Sequence, residues 1–136
     1  MTLIQCHYTG NLHCRAKHLS SSAVINTDAP LDHDGKGEGF APTDLLASAL
    51  GTCILTVMGI HARRMGWDIS FAKALVRKTM TLDKPRKIAA LSVDVHLPPG
   101  LNAEQISFLK KAADDCPVTR SLSGDLEVEV NWIVGT

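Results

Sequence analysis

Four cysteines and six histidines carry the most varied chemistry in this sequence, and their positions sort them into two groups. Cys6-His7, His13-Cys14 and His18 cluster near the N-terminus, whereas Cys53 and Cys116 stand far apart in unlike surroundings. Against a metal site in the first group stand the lack of any C-x-x-C or H-x-x-x-H pair and the fact that adjacent strand residues point to opposite faces. The expectation is no metal. Cys116 directly precedes Pro117, the order of a helix N-cap followed by proline at the first helical position. There the sulfur faces unpaired N–H groups and the positive end of the helix dipole, a setting that lowers a thiol pKa. Cys116 is then either a poised thiolate or simply a capping residue. Cys53 lies in the middle of a long apolar run, TDLLASALGTCILTVMGIHARRM, with no helix end nearby. Burial there would raise its pKa, so Cys53 is either a small core residue or a nucleophile that needs a cation beside it.

The elements that must position these residues can be read from pattern. Residues 2–8 and 12–18 form strands about Thr9-Gly10-Asn11, a hairpin with a glycine turn. A third strand, 22–27, ends at Asp28-Ala29-Pro30 and completes an antiparallel meander. Residues 31–42 (LDHDGKGEGFAP) are a turn-rich loop too polar for a core. A helix follows over 43–65, with Thr43 as N-cap, Asp44 favouring the positive dipole end and Gly66 as the C′ stop. Its expected buried stripe is Leu46, Ala49, Leu50, Cys53, Val57 and Ile60. The uncharged stretch from Leu45 to Ile60 is shorter than the ~20 residues a bilayer demands, so this reads as a core helix. Strands over 67–82 and 88–97 flank the Asp83-Lys84-Pro85 turn as a hairpin, the second alternating cleanly through Leu91, Val93, Val95 and Leu97. Asn102 caps a helix over 103–114 with the stripe Ile106, Leu109, Lys110 and Ala113. The helical turn at Cys116 and a last strand, 126–134, give the α+β order βββ-α-ββ-α-α-β.

Bulk properties exclude several functions. A chain of 136 residues, 45% hydrophobic, suits one domain (1–136) with a real core. Lys plus Arg equals Asp plus Glu at 14 each and no basic block occurs, which argues against nucleic-acid and anionic membrane partners. The N-terminus MTLIQCHYTG lacks the basic and apolar regions of a signal peptide, so the expected location is the cytoplasm and the cysteines are expected as thiols.

Two of these stretches together resemble a family. GFAPTDLLASALGTCILTVM resembles the P-T-E-L-L-x-A-A-L-G-x-C helix of OsmC-like proteins, and CPVTRSL is similar to their second motif, C-P-V-[ST]-x-[ST]-L. The resemblance extends to strand order and covers nearly the whole chain. It implies an intertwined homodimer with the long helices at its centre, and a peroxidase of oxidative-stress defence working without a bound cofactor. On that pattern Cys53 attacks an organic hydroperoxide or hydrogen peroxide, Cys116 resolves the sulfenic acid as a disulfide, and a lipoyl-type dithiol or small thiol reduces it. One position departs from the family. Hydroperoxide reductases of this superfamily carry a Glu ten residues before the helix cysteine, paired with an Arg from the N-terminal strands, and here that position is Thr43. Asp44 lies nine helical residues from Cys53, about 13 Å of rise and half a turn around, and cannot reach it within one chain. Glu38 is either a substitute acid or a solvated loop residue. Arg15 in the second strand is the candidate activating guanidinium or else an exposed strand arginine, with Arg120 as its rival. Two alternatives to peroxidase turnover stand beside this reading: a small-ligand-binding module that kept the fold and thiols, and a redox sensor whose disulfide alters a partner contact.

Overall fold

The structure, a computed structural model, describes residues 1–122 and 124–135, and the chain divides into two units at residues 46 and 47. In the first unit, β1 (Ile4–Gly10) and β2 (His13–His18) are joined by Asn11 and Leu12, with φ of 52° and 64°. That pair of positive values is what a two-residue type I′ connection requires, so the turn falls just after the glycine. β3 (Val24–Asp28) completes an antiparallel sheet of order β1-β2-β3, as the sequence pattern predicts. The sheet leaves Ile4, Tyr8, Val24 and Ile25 exposed, and its buried side chains, Thr27 and Asp28, lie at the end of β3. A single 3₁₀ turn, Leu31–His33, interrupts the polar loop that follows.

The long helix α1 spans Pro42–Arg64 and starts one residue before the sequence suggests. Pro42 takes the first helical position, the Leu45 N–H donates to the Ala41 carbonyl at 3.1 Å, and the Ala41 N–H donates to the Asp44 carboxylate at 2.9 Å. Thr43 therefore sits inside the first turn and is not the N-cap; Pro at the first position, whose missing N–H costs nothing there, sets the boundary instead. The helix stops as expected at Gly66 (φ 74°), where the Trp67 N–H donates to Ala62 and the Gly66 N–H to Arg63, both hydrogen bonds of a Schellman motif.

In the second unit, β4 (Lys73–Met80) and β5 (Ile88–His96) pair antiparallel and β6 (Glu127–Ile133) joins β5 in parallel. β4 is shorter than the expected 67–82, and Trp67 and Ile69 precede it as irregular chain packed on the core. The expected alternation of β5 holds: Leu91, Val93 and Val95, with Leu97 just beyond, are buried on one face. Against them lie Leu50, Ile54, Met58 and Ala62 of α1 and Leu109 and Ala113 of α2 (Ala103–Ala113). The buried face of α1 is thus rotated from the expected stripe, of which Leu50 alone is fully covered; Leu46, Ala49 and Ile60 are exposed, and Cys53 and Val57 are half-buried. A helix apolar on every side gives periodicity nothing to phase against, and packing chooses the face. Its most apolar window, of mean hydropathy 1.8, would satisfy a membrane span by length and composition, and one third of that window is buried in the protein. α2 begins at Asn102 with a full capping box, its side chain accepting from the Gln105 N–H at 2.8 Å while the Gln105 side chain accepts from the Asn102 N–H at 2.9 Å. Lys110, expected on its buried stripe, is exposed and Ala112 takes its place.

Gly51 marks where α1 lies closest to β4. A Cβ added there would fall 2.7 Å from Val76 Cγ2, and a β-branched side chain has little freedom to move away. Gly51→Val should destabilise the protein by about 1–3 kcal/mol through overpacking, read from the denaturant midpoint at unchanged slope. An unchanged or raised midpoint would show that α1 does not pack against β4 at this level.

Candidate active site

Cys53 projects from the middle of α1 at the margin of its packed face, half-buried rather than enclosed. Cys116 is fully buried and caps α3 (Pro117–Ser121), accepting the Thr119 N–H at 3.4 Å with Pro117 at the first helical position. The N-cap geometry expected from Cys116-Pro117 is therefore present. Backbone hydrogen bonds from the end of α2 fix this cysteine in place, its N–H donating to the Ala113 carbonyl at 3.2 Å. Helix α1 and the α2–α3 junction together bring the two sulfurs into a hydrogen bond, the Cys53 thiol donating to Cys116.

The electrostatics of the pair are opposed. Burial pushes the Cys53 thiol above its ordinary pKa, and the hydrogen bond donated to Cys116 pushes it further, against a smaller lowering from the Val118 N–H. Burial also works against ionisation of Cys116, yet the hydrogen bonds it accepts from Cys53, from the Thr119 side chain and N–H and from the Val118 N–H outweigh it and bring its pKa down. The two thiols thus ionise in order: Cys116 is the first sulfur to give up its proton, and Cys53 keeps its own. The sequence supports both directions, but the contact between the two sulfurs depends on how α1, α2 and α3 pack.

The remaining candidates lie as follows. Arg15, exposed on β2, shares a concavity of about 170 Å³ with Gln5, His7, Thr9 and Lys17. Glu38 is neither free nor simply solvated: its carboxylate lies 3.7 Å from His13 Nε2 and its N–H donates to Asp28 Oδ2 at 2.9 Å. Arg120 is tied at 2.9 Å to the carboxylate of Asp115, the residue before Cys116. Asp28, which sequence reasoning passes over as the end of a strand, is buried and held below the ordinary carboxylate range, first by the Glu38 N–H and further by His13, against the penalty of burial. Alternation within one strand cannot reveal it as a site residue, because its partners come from β2 and the loop.

Comparison with known proteins adds four findings. A family model described as OsmC-like protein matches residues 35–131, which include both cysteines of the pair. A crystal structure described provisionally as an osmotic stress induced and detoxification response protein, from Psychrobacter arcticus 273-4, is 38% identical, with a TM-score of 0.90 over 98% of this chain and 96% of that one. An organic hydroperoxide resistance protein from Legionella pneumophila shares the fold at 18% identity, with a TM-score of 0.75 over 100% and 97% of the two chains. An uncharacterized protein of Bacillus subtilis strain 168, YmaD, is 22% identical over 93% of this chain and 89% of its own length.

Thiolate absorbance against pH reads the pair directly. The parent protein should show a thiol ionising below its ordinary range, and Cys116→Ser should remove that step. Cys53→Ala should move it to higher pH, because Cys116 then loses a donated hydrogen bond. A low step that vanishes with Cys53 and survives without Cys116 would reverse the assignment.

Proposed function

The chain belongs to the OsmC-like family, and from that premise we propose that it is a thiol-dependent peroxidase that reduces organic hydroperoxides through Cys53 and Cys116. The observation that carries this reading is the hydrogen bond from the Cys53 thiol to the Cys116 sulfur. Access supports the roles: Cys116 is fully buried while Cys53 is half-exposed, so Cys53 is the sulfur open to a peroxide. Cys116, the stronger acid of the two, loses its proton to solvent first, and its thiolate then accepts the Cys53 proton to give the minor, reactive form in which Cys53 carries the charge. The Cys53 thiolate attacks the terminal peroxide oxygen; the S–O bond forms, the O–O bond breaks and the alkoxide leaves as an alcohol on gaining a proton. Cys116 then displaces water from the sulfenic acid and the Cys53–Cys116 disulfide closes. An external dithiol, of lipoyl type, returns the two electrons. Per cycle, two thiols and one hydroperoxide give one disulfide, one alcohol and one water. The substrate class is suggested by the description of the Legionella protein as an organic hydroperoxide resistance protein and by apolar residues such as Leu55, Val118 and Leu122 packed on the same core cluster as the two cysteines.

Proton transfer to Cys116 generates a thiolate at a half-buried position, and a guanidinium beside it would stabilise that charge. We propose Arg15 for this part on the family pattern alone, which takes the arginine from the N-terminal strands. The active form is a homodimer: Ile4, Tyr8, Val24 and Ile25 of the N-terminal sheet and Leu46 and Ile60 of α1 are exposed apolar residues that a second copy would cover. Light scattering at micromolar concentration should accordingly give twice the 14.6 kDa chain mass.

A turnover assay with cumene hydroperoxide and dihydrolipoamide tests the reading. Cys53→Ser should abolish consumption, and Cys116→Ser should leave a sulfenic acid trapped on Cys53. Arg15→Ala should slow the first step by about 10–150-fold, the loss of ~1.5–3 kcal/mol from a charge-assisted hydrogen bond. If Cys53→Ser consumes peroxide at the parent rate, Cys116 is the nucleophile. If the parent protein binds hydroperoxide or changes a partner contact without turnover, the fold serves binding or sensing, and the absence of the family Glu at Thr43 supplies the reason.

A further inference from the structure

The N-terminal unit holds a second constellation, at the opposite pole of chemistry from the thiols. His13 opens β2, Asp28 closes β3 directly opposite it in the antiparallel register, and the loop beyond brings Glu38 back to both. One donor atom from each lies within 4.8 Å of the others: His13 Nε2 is 3.5 Å from Asp28 Oδ1 and 3.7 Å from Glu38 Oε2. We propose that His13, Asp28 and Glu38 bind a divalent first-row transition ion, with Zn²⁺ as the fitting probe, and that the ion clamps the loop after β3 onto the sheet.

Three observations support this beyond the grouping itself. Asp28 is only 2% exposed, and its Oδ1, the atom nearest His13 Nε2, has no hydrogen-bond partner. A buried carboxylate oxygen left in that state is costly unless a cation meets it. Second, the His13 ring is oriented as a ligand is oriented. Its Nδ1 lies 2.7 Å from the Asn11 carbonyl, which can only accept, so Nδ1 carries a hydrogen and Nε2 is the ring nitrogen left facing the two carboxylates, the atom that would ligate an ion. Three electron-rich atoms facing one another call for a positive centre. The Nε2–oxygen separations of 3.5 and 3.7 Å are near the ~3.3 Å between donors on a tetrahedral ion with bonds of about 2.0 Å, so an ion fits between the atoms with little movement. Third, the loop is built to bring Glu38 there. Gly35 passes so close to Ala29 that a Cβ would overlap its carbonyl, Gly37 donates to the Ala29 carbonyl, and Glu38 donates its own N–H to Asp28 Oδ2. One imidazole nitrogen and two carboxylate oxygens suit Zn²⁺, Mn²⁺ or Fe²⁺, and exclude the soft ions that prefer thiolates. Spacing within single strands does not show these ligands, which come from two strands and a loop.

Zn²⁺ titration of the reduced full-length chain, followed both by equilibrium dialysis and by ¹⁵N NMR of the histidine rings, tests the site. The expected result is one ion per chain and a shift of the His13 Nε2 resonance. Affinity should fall in His13→Ala and Glu38→Gln by at least the roughly 10–100-fold that even an outer-shell partner contributes, and should persist when Cys53 and Cys116 are both replaced by serine. No binding at tenfold excess, or binding that leaves His13 Nε2 unmoved, would overturn the proposal. Because the readout is on the parent protein and on His13, the outcome is independent of peroxide turnover.

Discussion

The hydrogen bond between two sulfurs is the contact around which the second unit is arranged. Cys53 can reach Cys116 only because α1 lies against β5 through Leu50, Ile54 and Met58, and because α2 packs Leu109 and Ala113 into the same cluster and then stops. The turn after α2 delivers Cys116 to the head of α3, where Pro117 fixes the first helical residue and Thr119 offers its N–H. Each of these is ordinary packing or capping. Together they place a buried sulfur that accepts hydrogen bonds next to a half-buried sulfur that donates one.

That arrangement divides labour between access and charge. A thiolate exposed to solvent is open to wasteful oxidation, whereas one that is fully buried meets no substrate. Here the lower pKa belongs to the enclosed Cys116 and the more accessible position to Cys53, so in the proposed peroxidase charge would reach Cys53 by a proton moving along the hydrogen bond between them. Such a relay offers a route to activation at a site whose helix begins with Thr43 in place of the family's glutamate. It would also give the proposed resolving step its geometry in advance, since the two sulfurs are neighbours as free thiols.

Much of this was legible in the residues, and the failures have physical causes. Leu91, Val93 and Val95 announced a half-buried strand because a sheet face imposes a period of two, and Cys116-Pro117 announced a helix start because proline is tolerated at only a few helical positions. Thr43 misled because threonine is a good cap, yet Pro42 before it already satisfied the stronger constraint. The buried face of α1 was misplaced because Ala49, Val57 and Ile60 are as apolar as Ile54 and Met58, leaving tertiary packing to decide. His13, Asp28 and Glu38 escaped notice for a different reason: residues so far apart in sequence meet through strand register and a folded loop, which no local spacing encodes. The same holds for the Cys53–Cys116 contact, which the family resemblance implied and local pattern did not.

In the proposed peroxidase those two sulfurs act as one redox unit, and non-reducing peptide mapping after a single equivalent of an organic hydroperoxide measures this most directly. The predicted result is loss of two thiols per chain with Cys53 linked to Cys116 within one chain, while Cys6 and Cys14 remain reduced. Unchanged thiols, or a Cys6–Cys14 link as the main product, would contradict it.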